Sequence, residues 1–172
     1  EKSNIEEFEG IICPGFVNTH CHLELSHFKD CIPQYTGIVD FGLNVIKQRN
    51  NVSEELQLES MREADIQMYE EGIVLVGDIS NSKLSIGPKV SSKIKYHTFI
   101  ELIGLNPANA NLIFDKGREI HTAFILKNLD CSFAPHAPYS VSGELMQLIC
   151  QMNNALQKHT SIHNQESKAE HD

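Results

Sequence analysis

The chain has 172 residues, of which 41% are hydrophobic and 22% charged, and a net charge of −9 with histidines neutral. That is enough for one domain with a sizeable core, and the acidity argues against a phosphate-backbone partner, which selects a basic face. Five cysteines, Cys13, Cys21, Cys31, Cys131 and Cys150, are odd in number and form no C-x-x-C pair, as expected of reduced thiols in a cytoplasmic protein rather than a disulfide framework. No apolar run approaches the roughly 20 residues of a membrane span. Glu1-Lys2-Ser3-Asn4 is neither a signal peptide nor a start at Met, so the chain is expected to begin inside a longer product.

Residues 1–10 are polar and acidic and read as a linker or the end of a preceding element. Ile11, Ile12, Phe16 and Val17 predict a buried strand over 11–19. Ile38, Phe41 and Val45 recur at helical spacing, predicting a helix to about Arg49, broken by Asn50-Asn51. Ser53 is placed to cap a second helix, with Glu54 and Glu55 at its positive end and Met61, Ala64 and Met68 on one face. Gly72 stops that helix. Ile73 to Val76 is an apolar β-branched run, hence a buried parallel strand.

Residues 81–92, rich in Ser and Gly, predict a loop, and Ile94 to Leu105 a third strand. Ile113, Gly117, Ile120 and Phe124 space out as a helix reaching Asn128. Cys131 to Ala134 reads as a fourth strand closed by Pro135-His136-Ala137-Pro138. Ser142 caps a helix whose apolar stripe is Leu145, Leu148, Ile149, Met152 and Leu156. Thr160 to His163 predicts a fifth strand. Strands alternating with helices imply βαβ units and a parallel sheet, so the class is α/β.

The chemistry-bearing residues stand just after the strands. In His20-Cys21-His22 the two imidazoles share one face of the chain and Cys21 takes the other. Two neutral imidazoles on one face can chelate a divalent metal, as zinc sites do. His163 and Glu166 follow the fifth strand and place an imidazole and a carboxylate within reach of one ion. Asp78 and Glu101 read as strand-end residues outside the site, and Cys21 as a buried small side chain. No glycine-rich phosphate cradle is present.

Taken together, PGFVNTHCHLELS, APHAPYSVS and SIHNQES resemble, in this order, motifs of the metal-dependent amidohydrolase superfamily, and of its deaminase and chlorohydrolase branch in particular. The resemblance implies a (β/α)8 barrel of the TIM type, of which residues 11–172 would supply the N-terminal part, about the first five strands. Residues 1–10 would be the end of a β-sandwich or a linker. It further implies His20, His22 and His163 as metal ligands, Glu166 as the acid/base carboxylate, and His136 and Glu24 as substrate-facing groups.

The implied cofactor is one divalent ion, zinc or alternatively iron. The implied reaction is hydrolytic deamination of an aminopurine or related heterocycle by a metal-activated hydroxide, with Glu166 moving the protons. The alternatives are an amidase or dehalogenating chlorohydrolase of the same superfamily, or an inactive truncated piece. The expected partners are a small-molecule substrate and, in the intact enzyme, a second copy; no nucleic acid or membrane is expected. The superfamily's strand-six His and strand-eight Asp have no counterpart, because His171 and Asp172 follow His163 too closely. An ordinary barrel has roughly 250 residues, so the chain reads as a portion of an enzyme with unpaired strand edges at both ends.

Overall fold

The computed structural model describes residues 6–33, 35–48 and 52–170. The predicted helix end at Arg49, the break at Asn50-Asn51, the start of the 1–10 segment and the comparison of His171 and Asp172 with later ligands lie outside the described residues. The elements run β1 (Phe16–Cys21), α1 (Ile38–Gln48), α2 (Glu54–Glu70), β2 (Ile73–Ser80), α3 (Ile86–Ser91), β3 (Lys95–Leu102), α4 (Ala110–Ile125), β4 (Asp130–Pro135) and α5 (Gly143–Leu156). The four strands form one sheet in the order β1-β2-β3-β4, every neighbouring pair parallel.

Local chemistry explains most boundaries. Ser53 Oγ accepts from Leu56 N at 3.3 Å, and Ser142 Oγ from Leu145 N at 3.3 Å, each satisfying an amide that a helix start leaves unpaired. Gly72 turns the chain from α2 into β2 at φ 88°, a conformation a side chain disfavours.

Three elements differ from the sequence-based expectation. Ile11 and Ile12 are not in a strand but stand fully exposed, at 95% and 101%; β1 begins at Phe16, where Gly72 O first supplies a partner for Phe16 N at 2.9 Å. The Ser- and Gly-rich stretch contains α3, whose Pro88 falls within the first turn, where no intrahelical amide bond is lost. The expected fifth strand, 160–163, is irregular. It lies beside β4 but is tied to it by a side chain: Thr160 Oγ1 donates to Phe133 O at 2.9 Å, and among the described residues only His163 N, donating to His136 O at 2.8 Å, makes a backbone bond. Asn153 of α5 occupies the same edge, accepting from Phe133 N at 3.0 Å and donating to Phe133 O at 2.7 Å. Side chains thus take both backbone groups of Phe133 that a fifth strand would use.

Alternate strand residues face the helices. Ile100, Leu102, Cys131 and Phe133 pack with Phe114 and Phe124 of α4 and with Leu145 and Ile149 of α5. A smaller cluster joins Val76 and Tyr96 to Met61 of α2 and to Leu23. The intervening residues face the other, inner side, where Val17 and Leu75 pair in register and remain 54% and 39% exposed. Gly77 lies on that side under close approach: a Cβ there would stand 2.8 Å from Thr19 O. Among the described residues no helix is long and apolar enough to cross a membrane.

Candidate metal centre

His20, His22 and His163 come together at the carboxyl ends of β1 and β4. One ring nitrogen from each lies within 4.8 Å of the others. The ring centroids are 4.8 to 5.2 Å apart. Cys21 pairs in register with Asp78 and packs with the α2 cluster. The His-x-His pair therefore projects to the inner face, as pleat alternation requires. Burial first, and the Asp78 carboxylate second, push the Cys21 thiol up to about 12, so no thiolate competes with the imidazoles.

Glu166 fixes the orientation of His163. Its Oε1 lies 3.0 Å from His163 Nδ1, which leaves Nε2 turned to the cluster. His163 Nε2 is buried and makes no hydrogen bond among the described residues. Glu101 Oε1 stands 3.3 Å away, close enough to attract charge but off the line of a hydrogen bond. Contact with Glu101, against burial and with help from Glu166, raises the His163 pKa above its usual value. Burial lowers that of His22, Glu101 opposing it and the other two histidines adding to it. Three imidazoles thus converge, with a carboxylate on either side of His163, and among the described residues the buried Nε2 has an ionic contact to Glu101 but no hydrogen bond. This donor set fits a divalent cation, and a carboxylate on the far nitrogen of a ligating histidine is its usual support.

The turn that presents Glu166 has its own anchor. Glu170 accepts from the amides of Gln165 (2.9 Å), Glu166 (3.1 Å) and Ser167 (3.1 Å), and Gln165 takes φ 59°. His136 forms a second grouping with Glu101 and His163, their ligand atoms again within 4.8 Å, and its Nδ1 meets Ser140 Oγ at 2.7 Å. Glu24 packs against the Asn81–Ser82 loop. It is buried, with Oε2 accepting from Asn81 N at 3.1 Å and Oε1 from Ser82 Oγ at 2.9 Å. Burial raises its pKa, and the bonds from Asn81 and Ser82 pull the other way.

Glu101 is the group that spacing did not reveal. Asn81 Nδ2 donates to Glu101 Oε2 at 2.8 Å, so Glu24, Asn81, Glu101 and His163 form one chain of contacts. Burial pushes the Glu101 carboxyl up, but His163 and Asn81 together carry it below its usual value. Its one sequence signal was its place at the end of a strand.

No known family profile matches the chain. Aminodeoxyfutalosine deaminase of Nitratiruptor sp. is 27% identical over 163 residues, which are 93% of this chain and 40% of that protein. Adenosine deaminase of Helicobacter pylori is 26% identical over 161 residues, 93% of this chain and 39% of that protein. Aminofutalosine deaminase of Helicobacter pylori, solved in complex with methylthio-coformycin, matches with a TM-score of 0.73 at 25% identity, over 87% of this chain and 36% of that one. The chain resembles the amidohydrolase deaminases. Its parallel sheet corresponds to the N-terminal part of an amidohydrolase barrel. Atrazine chlorohydrolase of Arthrobacter aurescens, complexed with zinc, shares this fold, with a TM-score of 0.71 at 17% identity over 89% of this chain and 41% of that one. The chain spans about 40% of the length of the curated relatives it matches.

Proposed function

We propose that this chain carries the histidine site of a hydrolytic deaminase acting on an aminopurine or related heterocycle. One observation carries the reading: three imidazoles distant in sequence converge at strand ends, with His163 Nε2 buried and, among the described residues, without a hydrogen bond. Similarity to two deaminases over 93% of the chain supports the reaction class. The methylthio-coformycin complex of the Helicobacter pylori relative supports the heterocycle.

His20, His22 and His163 would hold the ion, zinc by this reading. When bound, it supplies the Lewis acidity that makes water nucleophilic near neutral pH. Glu166 keeps Nε2 of His163 turned inward through one carboxylate oxygen, and with the other takes a proton from the attacking water. It returns that proton to a ring nitrogen of the substrate. A carbon–oxygen bond forms, the second proton of that water passes through Glu166 to the amino group, the exocyclic carbon–nitrogen bond breaks, and ammonia departs. His136, held by Ser140 beside His163, orients the heterocycle. Glu24 fixes the Asn81–Ser82 loop that holds Glu101.

Equilibrium dialysis against zinc tests the centre. About one ion per chain is expected, and loss of uptake in a His20→Ala/His22→Ala variant. Unchanged uptake in that variant refutes the assignment. Ammonia release from a panel of aminopurine nucleosides tests the chemistry. Glu166→Gln should abolish release while leaving most zinc bound, and undiminished release would remove Glu166 from the mechanism.

A further inference from the structure

Behind the chelating histidines, on the helix-facing side of the sheet, lies a buried ion pair that the chemistry above does not use. Lys89 Nζ stands 2.6 Å from Asp78 Oδ2, and both side chains are 0% exposed. The ammonium gives its remaining protons to Ser80 Oγ at 3.2 Å and Thr98 Oγ1 at 2.9 Å. The rings of Tyr96 and Phe124 lie 5.4 and 5.0 Å from it. Ser80 Oγ donates to Asp78 Oδ2 at 3.1 Å. Removing two charges from water is so costly that a well-packed apolar pair of similar volume is often as stable or more so. Stability alone does not account for this pair.

The other oxygen of Asp78 does. Oδ1 accepts from Leu23 N at 2.7 Å, the first amide after His22. The β1 segment needs such an anchor. Its register with β2 is interrupted between Asn18 and Cys21, so no regular ladder fixes Thr19 and His20. The strand ends at Cys21, and His22 at φ −118°, ψ 76° has already left strand geometry. Two points therefore set the direction of the histidine pair: Cys21 pairing with Asp78, and the Leu23 amide on the Asp78 carboxylate.

We propose that Asp78 and Lys89 are positioning residues of the metal centre. Asp78 clamps the Leu23 amide and so aims His22, and Lys89 locks the Asp78 carboxylate in the orientation that does this. The proposal rests on the zinc reading above and extends it to two residues on the opposite face of the sheet. Outer partners of this kind change metal affinity 10–100-fold when removed, about the effect expected here.

The test uses the full chain and three readouts: zinc affinity by competition with a chromophoric chelator, thermal unfolding without metal, and amide hydrogen exchange at Leu23. The apolar double variant Asp78→Leu/Lys89→Met should fold, bind zinc about 10–100-fold more weakly, and exchange the Leu23 amide faster. Asp78→Asn/Lys89→Met keeps an oxygen for Leu23 and should recover part of the affinity. Parental zinc affinity in the folded apolar variant, or equal losses in both doubles, overturns the proposal. Should the apolar variant not fold, Ser80→Ala removes only the hydroxyl shared by the pair; it should weaken zinc binding severalfold, and parental affinity there is equally fatal. A parent chain that takes up no zinc refutes the metal reading instead, and Leu23 exchange then decides by itself whether the clamp exists.

Discussion

The two faces of the sheet divide the work differently. The helix-facing side is dry: Val76, Ile100, Leu145 and Ile149 are 0% exposed, and Phe133 is 1%. The inner side carries the histidine cluster, yet leaves Val17 and Leu75 half open. Burial of apolar surface is the main stabilising term, so folding strength resides on one face and chemistry on the other. A strand serves both because its side chains alternate.

This division makes graded expectations. Leu145→Ala empties a fully buried site in the larger cluster and should cost about 2–5 kcal/mol in denaturant unfolding. Zinc at a hundred times its dissociation constant should stabilise the parent chain by about 2.7 kcal/mol. That gain should vanish in His20→Ala/His22→Ala, whose metal-free stability stays near the parent's. Gly77→Ala is the inner-face exception. Its methyl would meet the Thr19 carbonyl at 2.8 Å, and about 1–3 kcal/mol of destabilisation is expected. Leu75→Ala, on the same face without that contact, should cost below about 1 kcal/mol, and a loss as large as that of Leu145→Ala would break the comparison.

The smallest effect belongs to Asp130. Burial pushes its carboxyl up, but hydrogen bonds from Lys158 and from His97, the latter at 2.7 Å, hold it below its ordinary 3.8. A depressed carboxyl stabilises the fold above its unfolded pKa and loses that contribution as pH falls through the folded one. The Tm difference between the parent and Asp130→Asn should therefore be largest near neutral pH and close below about pH 3.8. Half exposure keeps it small.

Elements set by local chemistry were legible in the sequence. Ser53 and Ser142 announce helix starts, and the spacing of Leu145, Ile149 and Met152 announces the face α5 turns to the core. Alternation placed His20 and His22 together, because pleating is a property of neighbours. What depended on distant partners was not legible. Ile11 and Ile12 look like strand residues but have no strand neighbour among the described residues, and Thr160 uses its hydroxyl where a strand would use backbone. Glu101 reaches His163 across 62 positions, and no spacing rule spans that distance. The resemblance implies Glu24 as a substrate-facing group, and its bonds to Asn81 and Ser82, 57 and 58 positions away, could not be read from spacing either.

Asn153 and Thr160 have a consequence for self-association. By occupying the backbone groups of Phe133 they blunt β4 as a template, whereas β1 has no neighbour on its outer side among the described residues. A ribbon with one sticky border can join a single twin and is then finished, while one with two can grow into a fibre. Concentrated solutions of this chain should accordingly contain pairs rather than filaments.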